Sequence, residues 1–202
     1  IAKEANIKRT VYASSVAALG MPPKGPWKET LYGAYKLANE HTAFVYWADW
    51  QVPSIGIRPN IVYGLARDQG MSSKNTVAIQ AAVLDKSYKI PYTGKYSWLY
   101  AGEAALAFIT SVSNDMVGSN VFNLNGSCET IENGLKLIKE LKPNSSVTCE
   151  GQPLPFPPDL DDLPLRKYVG DYTSVSVQKG IEHTLRAFET LKSEGKCPDV
   201  PI

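Results

Sequence analysis

Apolar residues recur every three or four positions along a stretch of the chain that begins near Thr30 and reaches Trp50. This spacing places them on one face of an α-helix and predicts a helix over residues 30–50. The residues of the series are Leu31, Ala34, Tyr35, Ala38, Thr42 and Val45. Pro53 cannot continue a helix, and the run of residues 54–58 that follows it is predicted to be a strand.

The rest of the chain alternates in the same way between short strand-like and longer helix-like segments. Strands are predicted at 9–13, 54–58, 89–93, 96–100, 119–124 and 146–149, and helices at 30–50, 74–86, 102–113, 130–142 and 177–194. Segments 20–26 and 151–164 are predicted to be loops because glycine and proline are frequent in both. Strands separated by helices predict an α/β fold with a mostly parallel sheet.

Composition and charge exclude several classes of protein. Of the 202 residues, 44% are hydrophobic and 20% are charged, as in ordinary globular domains. The net charge of +1, without a basic stripe, gives no reason to expect nucleic acid or an anionic membrane as a partner. Three scattered cysteines and two histidines do not form the patterns of a disulfide framework, a metal site or a histidine-based triad. We therefore expect reduced thiols, no metal, no membrane and a cytoplasmic protein.

The sharpest chemical signal is Tyr32, followed four residues later by Lys36 on the predicted helix. Residues four apart on a helix share one face, with their Cβ atoms about 5–6 Å apart. An ammonium near a phenol favours the phenolate, which suits the phenol for general acid or base catalysis. With 11 tyrosines and 16 lysines, chance alone predicts about one such pair. Taken by itself, the pair is also consistent with an exposed lysine beside a packed tyrosine.

Two strand ends supply further candidate groups. Ser15 follows the strand at 9–13, and the loop 59–64 follows the strand at 54–58. In an open α/β sheet, groups at the carboxyl ends of parallel strands face the ligand crevice. A serine hydroxyl there can hydrogen-bond a substrate oxygen, and Pro59 restricts the backbone of the loop. We expect Ser15, Tyr32 and this loop to converge on one crevice.

With these features in this order, the chain resembles the extended short-chain dehydrogenase/reductase group, the NAD-dependent epimerase/dehydratase family. The resemblance extends from about residue 9 to residue 194. The segments that carry it are 11–15 (VYASS) with Gly20, 32–36 (YGAYK), 57–64 (IRPNIVYG), 98–105 (WLYAGEAA), 121–126 (VFNLNG) and 176–181 (SVQKGI).

The resemblance implies a fold and a division into domains. The fold would be the C-terminal part of a Rossmann-like, doubly wound, mostly parallel sheet, with a smaller C-terminal α/β region that binds substrate. Residues 1–64 would form the second half of the dinucleotide-binding domain. Residues 65–202 would be mostly the substrate-binding region, with segments around 96–124 returning to the main sheet.

The resemblance also implies roles for single residues. Tyr32 would be the general acid/base and would also contact the cofactor, and Lys36 would bind the nicotinamide ribose and stabilise the phenolate of Tyr32. Ser15 would hold and polarise the reacting substrate oxygen. The further residues that it places at the site are Pro59 and Ile61 beside the cofactor, and Val16, Asn60 and Arg67 beside the substrate. NAD or NADP would carry the hydride.

Two departures from the family pattern bear on the predicted function. The Gly-rich turn that seats the dinucleotide pyrophosphate on a helix N-terminus does not occur in these 202 residues. We therefore expect a piece of a longer protein that binds NAD(P) weakly by itself, although processing that creates Ile1 as the start remains an alternative. Sugar 4,6-dehydratases of the family carry an acidic pair where this chain has Val16 and Ala17, so dehydration is not expected.

The sequence thus predicts an NAD(P)-dependent oxidoreductase or epimerase. Its substrate would carry a secondary hydroxyl on a sugar nucleotide, a sugar acid or a similar polyol, and the complete protein would be a homodimer. The choice between epimerase and dehydrogenase, and between NAD and NADP, stays open. The alternative is a non-catalytic relative of the same fold that senses a dinucleotide or serves as a scaffold.

Overall fold

The computed structural model describes residues 1–21, 25–113, 115–170, 172 and 174–200. Its strands are β1 (Thr10–Ala13), β2 (Ser54–Pro59), β3 (Val62–Tyr63), β4 (Tyr88–Ile90), β5 (Lys95–Tyr100), β6 (Ser119–Leu124), β7 (Ser127–Thr130) and β8 (Val147–Cys149). Its α-helices are α1 (Leu31–Trp50), α2 (Lys74–Val83), α3 (Ala101–Val112), α4 (Ile131–Leu141), α5 (Leu163–Val169) and α6 (Val177–Ser193). A 3-10 helix covers Val16–Gly20.

The chain divides into two compact units, each built from three separate segments. Unit 1 contains Ile1–Asn60, Glu103–Asn125 and Pro155–Thr173. Unit 2 contains Ile61–Gly102, Gly126–Leu154 and Ser174–Ile202. The sequence-based division near residue 64 stays a prediction.

Unit 1 is built on a parallel sheet in the order β1-β2-β6. β2 pairs with β1 on one side and with β6 on the other, in both cases in parallel. Helix α1 connects β1 to β2, as parallel neighbours require, because a tight turn cannot return the chain to the same end of the sheet. The apolar side chains of β2 are fully buried, with Ile55 and Ile57 at most 1% exposed. Because β1 and β2 are parallel, their carboxyl ends lie at the same end of the sheet.

Unit 2 holds two smaller sheets, one in the order β3-β5-β7 and the other pairing β4 with β8. β5 pairs with β7 in antiparallel fashion, while the other pairs in this unit are parallel. Helix α2 is buried along its whole length from Asn75 to Val83, as expected of a helix surrounded by core. Trp98 on β5 is fully buried and packs against Gly134 of α4, where a Cβ would approach its ring to 2.2 Å.

Each predicted strand and helix is present in the predicted order, with differences at some ends, and the structure adds β3, β7 and α5. Helix α2 stops at Val83, three residues before the prediction, because Asp85 adopts a left-handed backbone with φ of 55°. β4 spans residues 88–90 and not 89–93, since Pro91 cannot donate to a strand ladder. The predicted loop 20–26 falls partly on residues 22–24, which lie outside the described residues. The segment 151–164, predicted as a loop, already contains the start of α5 at Leu163.

Among the described residues, no helix combines the length and apolar character that crossing a bilayer requires. The three cysteines, Cys128, Cys149 and Cys197, are free thiols in the structure.

Candidate active site

Ser15 lies at the turn where β1 ends. Its hydroxyl caps the 3-10 helix Val16–Gly20, with Oγ accepting a hydrogen bond from the backbone N of Ala17 at 3.2 Å. A hydroxyl oxygen that accepts this bond keeps its own O–H for donation to another acceptor. Val16 is 6% exposed and belongs to the core of unit 1, so its side chain is largely withdrawn from solvent.

Helix α1 carries Tyr32 and Lys36 next to this turn. The Lys36 Nζ donates to the backbone O of Ala13, the last residue of β1, at 2.6 Å. The same Nζ lies 5.5 Å from the centre of the Tyr32 ring. Tyr32 is 55% exposed, so its hydroxyl-bearing ring does not form part of the core. The structure thus places Lys36 beside both the Tyr32 ring and the end of β1. The four-residue spacing predicted the proximity of Tyr32 and Lys36 only.

A glycine allows α1 to approach the Ser15 turn closely. A Cβ on Gly33 would lie only 2.4 Å from the backbone O of Ala17, a distance that real Cβ atoms essentially never show. The backbone N of Gly33 donates a hydrogen bond to the Oγ1 of Thr30 at 2.9 Å, and Thr30 thereby caps the helix. The start of α1 is therefore seated directly on the 3-10 helix that follows Ser15.

Gly33→Ala is expected to destabilise the protein by about 1–3 kcal/mol, because the added methyl forces α1 away from the backbone of Ala17. Urea unfolding measures the change. Ala38→Ser, which adds one atom at an exposed position of the same helix, is the control and should change stability little. At an unobstructed helical position, glycine to alanine would instead stabilise by roughly 0.5–1 kcal/mol, and that result would contradict the close approach.

Glu40 is a buried carboxylate on α1 that the sequence-based predictions did not include. It is 5% exposed and accepts two hydrogen bonds from Arg58 of β2, from Nε to Oε1 at 2.8 Å and from Nη2 to Oε2 at 2.5 Å. The Ser14 hydroxyl also donates to Oε1. The available signal was the spacing, because Glu40 follows Lys36 by the same four residues that separate Lys36 from Tyr32.

Tyr12 lies beside this ion pair and has a perturbed titration. Its ring covers Gly56 of β2, where a Cβ would come within 2.6 Å of the tyrosine hydroxyl. Burial, and secondarily the negative charge of Glu40, raise the pKa of Tyr12 to about 12, while Arg58 opposes the shift. The neutral phenol is therefore favoured by folding.

This shift predicts how stability depends on alkaline pH. An unfolded tyrosine ionises near its usual pKa of 10.0, whereas folded Tyr12 ionises near 12. Between these values the unfolded chain binds fewer protons, so the Tyr12 contribution, complete below pH 10, is lost as the pH rises toward 12. Across this range, the free energy of unfolding measured with urea should fall more steeply with pH in the wild type than in Tyr12→Phe. An equal dependence on pH in both proteins would contradict the raised pKa of Tyr12.

The loop after β2 begins with Pro59 and Asn60, which close the strand. The Asn60 Nδ2 donates to the Oδ1 of Asn125 at 2.7 Å and to the backbone O of Pro157 at 2.9 Å. Its Oδ1 is buried, and within the described residues no donor reaches it. Asn60 was predicted to contact substrate. That role stays a prediction; the structure shows that the amide nitrogen of Asn60 is already bonded inside unit 1.

Ile61 and Arg67 belong to unit 2. Ile61 is 6% exposed, and its backbone O accepts a hydrogen bond from the N of Leu99 at 3.2 Å. The Arg67 guanidinium donates to the backbone O of Gln69 and, at 3.4 Å, to the Oγ of Ser72. The structure thus gives both residues contacts within their own unit, and their roles beside cofactor and substrate stay predictions.

The parallel α/β sheet and the tyrosine–lysine pair at its edge define a class, and a comparison with family models identifies it. Residues 1–124 match the NAD dependent epimerase/dehydratase family. Because the match covers more than half of the chain, the protein belongs to this family. The resemblance noted in the sequence is confirmed, as is a nicotinamide dinucleotide as the cofactor of the family. A comparison with curated proteins gave no match.

Solved structures agree on the fold. A partial consensus L-threonine 3-dehydrogenase has a TM-score of 0.79 and 19% identity, over 94% of this chain and 68% of that one. UDP-N-acetylglucosamine 4-epimerase from Bacillus cereus has a TM-score of 0.75 and 20% identity, over 99% and 68%. UDP-glucose 4-epimerase from Thermotoga maritima has a TM-score of 0.77 and 16% identity, over 95% and 66%. The chain spans about two thirds of each, and the predicted Rossmann-like fold is confirmed.

Proposed function

We propose that the complete protein is an NAD(P)-dependent oxidoreductase or epimerase that acts on a secondary hydroxyl of a sugar nucleotide, a sugar acid or a similar polyol. The observation that carries the proposal is the anchoring of Lys36. Its ammonium lies beside the Tyr32 ring and donates a hydrogen bond to the backbone O of Ala13 at the end of β1. Ala13 precedes Ser15 by two residues. In this proposal Tyr32 is the proton donor and acceptor, Lys36 is the cation beside it, and Ser15 is the hydroxyl at the adjoining turn.

Three residues of this chain have separate roles in the proposed reaction. Tyr32 takes the proton from the substrate hydroxyl during oxidation and returns it during reduction. Lys36 stabilises the phenolate and binds the ribose hydroxyls of the dinucleotide. Ser15 donates its O–H to the reacting substrate oxygen. A bound nicotinamide dinucleotide would supply the acceptor and donor for the hydride.

The remaining site residues and the assembly are part of the same proposal. The backbone at Pro59 and Ile61 would approach the nicotinamide, and Val16, Asn60 and Arg67 would contact the substrate. We also propose a homodimer in the complete protein, with α1 contributing to the contact. The support is the pair of exposed aromatic side chains Tyr46 and Trp50, which lie one turn apart on α1 and are 42% and 43% exposed.

A hydride-transfer assay of the complete protein tests the proposal. A panel of sugar nucleotides, sugar acids and polyols is incubated with NAD or NADP, and absorbance reports the reduced cofactor. Chromatography of the products is needed as well, because an epimerase regenerates its cofactor in each turnover. Cofactor binding without reduction or epimerisation of any compound would contradict the proposal and favour the non-catalytic alternative.

The 202 residues alone are expected to bind NAD(P) more weakly than micromolar, since their sequence contains no Gly-rich turn to seat the pyrophosphate. Isothermal titration calorimetry with NAD and with NADP measures this. The complete protein serves as the control and should bind one of the two with micromolar affinity. Micromolar binding by the 202 residues would show that the described site holds the dinucleotide without such a turn.

A further inference from the structure

The carboxylate of Glu40 is almost completely removed from solvent, which is costly for a charged group. The cost of burying this charge is compensated by the two-pronged (bidentate) contact with Arg58 and by the hydrogen bond from the hydroxyl of Ser14. A buried ion pair of this kind is weak evidence for stability, because well-packed apolar side chains often serve stability equally well. Its geometry is directional, however, since a two-pronged arginine–carboxylate contact fixes the relative orientation of both groups.

The two partners of Glu40 lie at the ends of adjacent strands. Ser14 follows β1 directly, and its backbone N donates to the O of Ile57 on β2 at 2.7 Å. Arg58 is the penultimate residue of β2 and precedes Pro59. One carboxylate on α1 therefore holds the ends of β1 and β2 at once, immediately before the residues that carry the proposed site.

Glu40 also lies in series with the proposed catalytic pair. Tyr32, Lys36 and Glu40 are spaced four apart on α1 and so lie along one side of the helix. Lys36 bonds to Ala13, and Glu40 bonds to the next residue, Ser14. A rotation of α1, or a slide along its axis, would break the directional Glu40 contacts, whereas the flexible lysine stem alone tolerates such a shift.

We propose that Glu40 is a positioning residue. Its carboxylate fixes the rotation and axial position of α1 relative to the ends of β1 and β2. It thereby holds Tyr32 and Lys36 at a fixed position relative to Ser15. The inference rests on the proposed function, because the position of Tyr32 relative to Ser15 matters for the transfer of a proton by Tyr32. It adds a residue that touches neither substrate nor cofactor.

The decisive variant replaces the ion pair by apolar side chains, as Glu40→Met with Arg58→Met in the complete protein. This pair fills a similar volume without the directional bonds, so thermal stability should be kept or raised. We expect kcat to fall by at least about tenfold, because a displacement of about 1 Å can reduce a rate by about a hundredfold. A stable double variant with the kcat of the wild type would overturn the proposal.

Two single variants keep the test valid if the double variant does not fold. Glu40→Gln preserves shape but not charge, and Arg58→Lys preserves charge but not the two-pronged contact. Both should lower kcat more than they raise KM. In a Tyr32→Phe background the same changes should have little further effect, because the positioned group is gone. Equal effects in both backgrounds would indicate a merely structural role. Asp49→Asn, an exposed change on the same helix, is the matched control.

A readout without turnover separates this inference from the proposed function. Glu40→Gln should speed the chemical acetylation of the Lys36 amine and the hydrogen exchange of the Ala17 amide, since both groups are held at the turn that Glu40 anchors. If the wild type shows no turnover that depends on Tyr32, the proposed function fails and these rates still decide whether Glu40 fixes α1. Unchanged rates in Glu40→Gln would overturn the positioning role.

Discussion

Tyr32→Phe in the complete protein is expected to lower kcat by about 10² to 10⁴, the range that general acid–base catalysis contributes. Phenylalanine keeps the ring and loses only the hydroxyl that exchanges the proton. Because the Tyr32 side chain is 55% exposed, its loss should leave the melting temperature nearly unchanged. A large effect on rate combined with a small effect on stability is the signature of a group that acts on the substrate.

The chain offers a matched control three residues away. Tyr35 lies on the same helix and is 62% exposed, and Tyr35→Phe removes the same atom from a comparable environment. Steady-state kinetics and thermal melting of both variants, measured side by side, give the comparison. Full turnover in Tyr32→Phe would show that Tyr32 is not the acid/base, and equal losses in both variants would point to a general disturbance of α1.

Lys36→Ala is expected to weaken cofactor binding and to lower kcat/KM by about a hundredfold, a loss typical of removing a group that stabilises developing charge. The variant removes the cation that lies 5.5 Å from the Tyr32 ring and the bond that ties α1 to Ala13. Two properties therefore change together, the affinity for the dinucleotide and the ability of Tyr32 to carry negative charge.

Cofactor fluorescence and steady-state kinetics separate the two effects of Lys36→Ala. Saturating cofactor should restore binding but not the rate, because the missing ammonium near the phenol is not replaced. Lys139→Ala, which removes an exposed lysine from α4, controls for the general loss of a positive charge. A variant that regains the full rate at high cofactor concentration would limit Lys36 to a binding role.

Much of the fold could be predicted from the sequence because its long elements carry clear signals. Helix α1 begins after the capping residue Thr30 and ends before Pro53, and β6 spans the predicted residues 119–124. The strands and the α-helix that escaped prediction are short. β3 has two residues, β7 has four, and α5 has seven and begins within a proline-rich segment, so none is long enough to show a period.

The candidate site was predictable only where spacing along one helix determined it. The four-residue step from Tyr32 to Lys36 predicted their proximity. The partner of Lys36 is a backbone oxygen 23 positions away, and Asn60 bonds to Pro157, 97 positions away. Contacts of that kind depend on how the chain returns to the sheet, which local pattern does not encode. Glu40 was accessible as the third member of the series, but its burial was not.

The interleaving of the two units has a consequence for how the protein is made. The chain passes between them five times, so each unit is assembled from three stretches that are far apart in sequence. Each core can close only after the ribosome has released the last stretch of its unit, which begins at residue 155 for unit 1 and at residue 174 for unit 2. Neither unit can therefore be excised as a continuous fragment by truncation from one end.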